Sequence, residues 1–261
     1  MIKLIRPDKP TELTEDVEKA LVEEYKTTGK SVWRKDYITK PLLEMSHKKC
    51  CYCETMLGTQ ARAMQVEHFH CKDIYPEEVV SWKNLLPSCS QCNSNKSTMD
   101  TKETPIIDPS VDDPKDYLYL KHYMIKSKDN TIGSKGRLTV DQLELNHRER
   151  LINPRIEIAD RMNYKLSDIH EKAIALDLRT DGKLYNKSKI INTLHDILKM
   201  AQSESEYSAF MATIILTDED YIETKEILKN KNLWTNELEK LHNEANKIKL
   251  DTESKSRHKH K

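Results

Sequence analysis

Apolar residues recur at three- and four-residue intervals at the two ends of the chain and lose that rhythm in between. Near the start, Val17, Leu21 and Val22 form one stripe of a charged helix over residues 14–26, with Thr14 placed to cap it. Residues 33–46 read as a second helix, which Pro41 should kink or break. From about residue 141 the helical spacing returns, in segments near 154–176, 187–202, 204–216, 218–229 and 235–250. The region 48–110 holds short apolar runs and turns without a long period. A connector rich in Asp and Pro follows (Asp108-Pro109-Ser110-Val111-Asp112-Asp113-Pro114). After it a hairpin is expected, with strands at 117–125 and 137–140 around a turn near 130–136. The tail, 251–261, is polar and expected to fray. The pattern divides the chain into an N-terminal helical segment (1–47), a central core (48–110), a connector with a hairpin (111–140) and a C-terminal helical region (141–261). The fold class expected is α+β and mostly helical.

Composition sharpens this picture. Of 261 residues, 37% are hydrophobic and 33% charged, with 5 Gly and 2 Phe, which suits a small core surrounded by amphipathic helices better than a large sheet. The longest apolar stretch, 210–216, is too short to span a bilayer. Residues 1–8 carry charges where a secretory signal has an apolar run. A cytoplasmic protein with no membrane segment is expected. The 43 basic residues are balanced by 43 acidic ones. Affinity for phosphate must therefore come from a local basic patch or from a partner's surface, because it scales with local excess Lys and Arg.

The cysteines change the picture most. All six (Cys50, Cys51, Cys53, Cys71, Cys89 and Cys92) fall in one window, and the long C-terminal half has none. Such clustering suggests thiolates gathered around a metal in a reducing compartment, not a disulfide framework. Cys50-x-x-Cys53 and Cys89-x-x-Cys92 are two knuckles whose spacing lets four sulfurs converge on one tetrahedral Zn²⁺. With four protein ligands no position stays open, so this zinc would be structural. Cys51 and Cys71 are left over and read as small packed side chains. Registers that use one of them as a ligand stay open, at the cost of the symmetry of the knuckles.

Between and just after the knuckles stand Val66-Glu67-His68-Phe69, Trp82-Lys83-Asn84-Leu85-Leu86, Asn93 and Lys96. In this order, Cys-x-x-Cys, Glu-His, Asn-Leu-Leu and Cys-x-x-Cys-Asn-x-x-Lys, the window resembles the HNH endonuclease superfamily, in the ββα-metal subgroup braced by four cysteines. Phosphodiester hydrolysis needs an activated water, a cation on the phosphate and stabilisation of the leaving oxygen. His68, as a neutral imidazole, suits the general base. Glu67 and Asn93 offer oxygen ligands to a catalytic Mg²⁺ or Mn²⁺. The resemblance puts Asn84 at the middle position, holding the loop and orienting His68, and Lys96 on the finger helix near the phosphate. Lys72 is a further candidate phosphate contact, and His70 flanks the site either as another or as a bystander.

Beyond the finger come Pro105-Ile106-Ile107-Asp108-Pro109, Asp112-Asp113-Pro114, Leu145-Asn146-His147 with Leu151, and Arg155. With these the chain looks like the HNH nuclease subunit of Septu-type antiphage systems (PtuB), a family that includes retron-associated HNH proteins. The resemblance covers about residues 48–155. It departs at His70-Cys71-Lys72, where Arg-Pro-Lys is usual, and at His147, where Arg is common. The resemblance implies cleavage of nucleic acid, DNA before RNA, under the control of an ABC/SMC-like ATPase partner (PtuA-like). A zinc-stabilised binding subunit without cleavage activity is the competing expectation.

Overall fold

The structure, a computed structural model, describes residues 1–58, 63–178 and 187–253. The chain divides into two compact units: Met1–Leu118 with Ile125–Asn146, and Tyr119–Met124 with His147–Lys261.

In the first unit, α1 (Glu15–Thr28) begins where Thr14 Oγ1 accepts the Val17 N–H at 3.3 Å and ends at Gly29, which takes φ +66. Such a cap is worth about 1 kcal/mol, and Gly bears the left-handed backbone without strain. Of the expected stripe, Leu21 is fully buried and Val17 and Val22 are half-buried. The second helix, α2 (Asp36–Met45), is shorter than the pattern suggests and runs through Pro41 unbroken. In so short a helix the proline removes one internal hydrogen bond. Ile38, Leu42 and Met45, buried on one face, hold the helix in place.

Strands β1 (Gln65–His68) and β2 (Leu85–Ser88) pair antiparallel, with Gln65 opposite Ser88 and His68 opposite Leu85. Helix α3 (Ser90–Lys96) follows directly. The connector forms α4 (Pro114–Tyr117), with Pro114 at its first position and Asp113 capping it. Next come β3 (Leu118–Lys121) and β4 (Met124–Ser127). The expected hairpin is corrected here. Its strands are close together, joined by a tight turn in which His122 takes φ 53. Residues 137–140 belong instead to a helix, α5 (Lys135–Gln142). Tertiary packing decides this: Thr139 Oγ1 accepts the Ile107 N–H at 2.8 Å from within α5. A Cβ on Gly136 would meet Ser127 Oγ at 2.6 Å and Tyr117 O at 2.8 Å, so glycine alone permits that close approach.

The second unit is helical: α6 (Asn153–Leu178), α7 (Lys187–Lys199), α8 (Ser208–Thr217), α9 (Glu219–Asn230) and α10 (Asn236–Ile248). These match the predicted segments to within a few residues. On α6, Ala159, Met162, Leu166, Ile169 and Ala173 are buried at alternating three- and four-residue steps. Helix α8 is apolar all round and buried on nearly every side, as a central helix must be. Residues Asp251–Thr252, expected to begin the frayed tail, form β5, parallel to Tyr119 and Leu120 of β3. The rest of that tail, from 254, lies outside the described residues. No helix among the described residues is long and apolar enough to cross a membrane.

Candidate active site and metal centre

The first knuckle is a tight turn. Glu54 N–H donates to Cys50 O at 3.0 Å and Cys50 N–H to Thr55 O at 2.9 Å, with Glu54 at φ 62. Cys51 N–H donates to Pro87 O at 2.9 Å, which docks the turn on β2 just ahead of Cys89. Cys89 itself caps α3, its Sγ accepting from Cys92 N–H at 3.4 Å. This brings the Sγ atoms of Cys50, Cys53, Cys89 and Cys92 within 4.8 Å of one another. Cys53 and Cys89 lie 3.8 Å apart. Zinc–sulfur bonds of about 2.3 Å in a tetrahedron require sulfurs about 3.8 Å apart, so the four thiols fit Zn²⁺. Cys51 and Cys71 stand outside the cluster, both buried. Burial pushes the Cys51 thiol well up, which favours the neutral packed form over a thiolate ligand.

Strand β1 carries Glu67 and His68, and neighbouring residues of a strand project to opposite faces. His68 is 6% exposed, with its ring edge-on to Trp33 at 4.5 Å between centroids. Its Nε2 lies 2.9 Å from Val79 O. A carbonyl only accepts, so Nε2 carries the proton and Nδ1 keeps its lone pair. Nδ1 is not among the buried atoms left unsatisfied, so it retains access to water. Burial pushes the imidazole down to about 4, helped by the charges of Lys72 and Lys96 and opposed by the Val79 hydrogen bond. The ring is neutral at pH 7.

Glu67 and Lys96 face each other inside the finger, each 1% exposed. Lys96 Nζ lies 2.8 Å from Glu67 Oε1 and donates to His68 O at 2.8 Å. Oε1 has no well-aligned hydrogen bond, so its contact with Lys96 is one of charge. Burial raises the Glu67 carboxyl to about 7 against the pull of Lys96. Lys96, expected at the phosphate, is thus an interior counter-ion. Because an ammonium already answers the carboxylate, Glu67 as arranged does not fit a divalent-ion site. Asn93, one turn before Lys96 on α3, is half-buried.

Asn84 is buried and holds a loop. Its Oδ1 accepts His70 N–H at 2.6 Å, and its Nδ2 donates to His70 O at 3.1 Å and Glu78 O at 3.2 Å. It thereby secures the stretch that ends at Val79, the partner of His68. Lys72 is half-exposed, pairs with Asp73 at 2.9 Å and lies 6.0 Å from the Trp33 ring. The structure therefore gathers His68, Lys72, Asn84 and the thiol cluster into one unit, and turns Glu67 and Lys96 inward. Sequence reasoning missed Val79, Trp33 and Glu78. Val79 acts through its carbonyl, which no residue type signals, and Trp33 lies 35 positions before the imidazole it contacts.

Over 241 residues the chain is 42% identical to the Septu protein PtuB of Bacillus thuringiensis, with 92% of each chain covered. A second Septu protein PtuB, from Bacillus mycoides (strain KBAB4), is 25% identical over 238 residues, covering 76% of this chain and 79% of that one. No family model matches the chain. No solved structure matches it.

Proposed function

Because the chain belongs to the Septu PtuB family, we propose that it is the nuclease component of an antiphage defence system, hydrolysing phosphodiester bonds with His68 as general base. One observation carries this reading: the His68 imidazole is fixed through Nε2 to Val79 O and keeps Nδ1 as a proton acceptor. It sits on the first strand of a ββα unit next to a four-thiol cluster. A water held at Nδ1 would give up its proton as it attacked phosphorus. The lowered basicity weakens the driving force but keeps the base unprotonated throughout the neutral range. Lys72, beside the ring, supplies a positive charge for the phosphate. The finger carries a structural Zn²⁺ on Cys50, Cys53, Cys89 and Cys92, and its free thiols suit a reducing cytoplasm.

The resemblance also implies a catalytic Mg²⁺ or Mn²⁺ at Glu67 and Asn93. The Glu67–Lys96 pair does not support that assignment, and no step is routed through such an ion. That pair favours a second reading, a zinc-stabilised subunit that binds nucleic acid or a partner without cutting. The formal net charge of +0 suits an assembly in which an ATPase of the PtuA type supplies most of the grip on nucleic acid.

Cleavage of DNA and RNA by the wild type and His68→Ala decides between the readings, with and without Mg²⁺ or Mn²⁺ and the co-purified partner. Loss of about 10²-fold or more in His68→Ala is expected. Equal cleavage by the variant removes His68 as the base, and no cleavage by the wild type in any condition establishes the non-cutting subunit.

A further inference from the structure

Glu78 and Val79 are neighbours in the chain, and each holds one of two histidines. Val79 takes His68 by Nε2, whereas Glu78 Oε2 takes His70 by Nδ1 at 2.5 Å. A carboxylate at Nδ1 leaves Nε2 as the outward nitrogen of His70. Asn84 clamps the backbone of the same residue at both its N–H and its carbonyl. The second oxygen of Glu78 is held by Lys102 at 2.7 Å, and Lys102 in turn lies 3.7 Å over the Tyr75 ring. His70 is therefore fixed in position, tautomer and orientation, although its side chain is 30% exposed. A packed or idle surface histidine does not need that much support.

His70 lines a cavity of about 330 Å³ together with Asn84, Lys83, Asp108, Asp112 and Lys135. The carboxylates there already have partners. Glu78 has His70 and Lys102, and Asp112 has Lys135 at 3.0 and 3.1 Å. Asp108 accepts from the N–H and hydroxyl of Ser110 at 2.8 and 2.7 Å. Lys83 is exposed and makes no ion pair among the described residues. What the cavity has left to offer is donor capacity, the Lys83 ammonium and His70 Nε2, so it suits an anion.

We propose that this cavity binds a phosphate group of the nucleic-acid strand two residues along from the His68 base, with His70 Nε2 and Lys83 as its contacts. The proposal rests on the nuclease reading for the identity of the polymer, while the anion chemistry follows from the cavity itself. His70 here is a binding residue, and its loss should weaken substrate binding more than the chemical step.

The test uses the full chain carrying His68→Ala, so that nothing is cut, titrated with fluorescein-labelled DNA and RNA oligonucleotides. Adding His70→Gln, which keeps bulk and one hydrogen bond but no charge, should weaken binding about tenfold or more. His70→Arg should stay within about threefold of its parent. Lys83→Ala should lower the salt slope of binding by about one. Zinc content and melting temperature, unchanged in His70→Gln, show that the finger is folded. Oligonucleotide binding unaltered by His70→Gln overturns the proposal, as does inorganic phosphate competing at oligonucleotide concentrations, which would make this a site for free phosphate. The two readings fail separately. A wild type that does not cut, with binding that still depends on His70, sinks the nuclease and keeps the cavity. A wild type that cuts, with binding indifferent to His70, does the reverse.

Discussion

Lys96 Nζ reaches from the last turn of α3 to Glu67 Oε1 on β1, 2.8 Å away, and the same nitrogen donates to the carbonyl of His68. One side chain thus ties helix to strand and carries the backbone of the imidazole-bearing residue with it. Both charges are out of water, so the pair costs desolvation that its attraction only partly returns. Its main consequence is geometric, since it fixes α3 against the strand that presents His68.

Removing one partner is therefore worse than removing both. Lys96→Met should destabilise the chain by about 3–5 kcal/mol, because it leaves a buried carboxylate unpaired. Adding Glu67→Leu to it should recover a substantial part of that loss. Urea unfolding of the three chains checks this, and a double variant less stable than Lys96→Met would show that the pair is not what couples the two sites.

Asn84→Ala removes three hydrogen bonds to His70 and Glu78 and leaves two backbone carbonyls and one N–H without their partner. A cost of roughly 2–3 kcal/mol is expected. Amide exchange should quicken over residues 69–79 while the thiol cluster keeps its zinc. Unchanged exchange in that loop would mean Asn84 does not hold it.

His68 should titrate near pH 4 and not near its ordinary 6.5, because burial disfavours the imidazolium. With the folded value depressed, the unfolded chain binds more protons between the two. Stability is then full above about pH 6.5 and falls as pH drops toward 4, by roughly 3 kcal/mol for this group. An NMR titration of the His68 ring reads the midpoint directly. A midpoint near 6.5 would contradict the buried, Val79-bound ring.

The purified chain should hold one zinc per molecule by elemental analysis. Cys53→Ser and Cys89→Ser should each lose it and melt lower, since ligand binding and folding of the finger are one event. A chain without stoichiometric zinc, or a Cys89→Ser variant as stable as the wild type, would remove the four-thiol site.

Several features were legible in the amino-acid order because they are local. A two-residue gap sets how far apart two thiols can lie, so the pairs at 50/53 and 89/92 announced their convergence before any fold was known. The helical segments beyond residue 150 were legible for the same reason, as three- and four-residue spacing is a property of the helix alone. The hairpin was misread at its second strand because Thr139 and Gly136 answer to Ile107, Tyr117 and Ser127, not to their neighbours.

The sequence by itself determined that four sulfurs share a window with a Glu-His pair and two asparagines. Only the tertiary structure decided which way those side chains face. Lys96 has the composition of a surface residue, yet α3 lies against β1 and turns it inward onto Glu67. His68 became a fixed acceptor at Nδ1 because the carbonyl of Val79, eleven residues on, came to rest against Nε2. Both outcomes depend on contacts between segments far apart in the chain. Their directions are set by how strand, loop and helix pack together, and no local pattern of residue types encodes that.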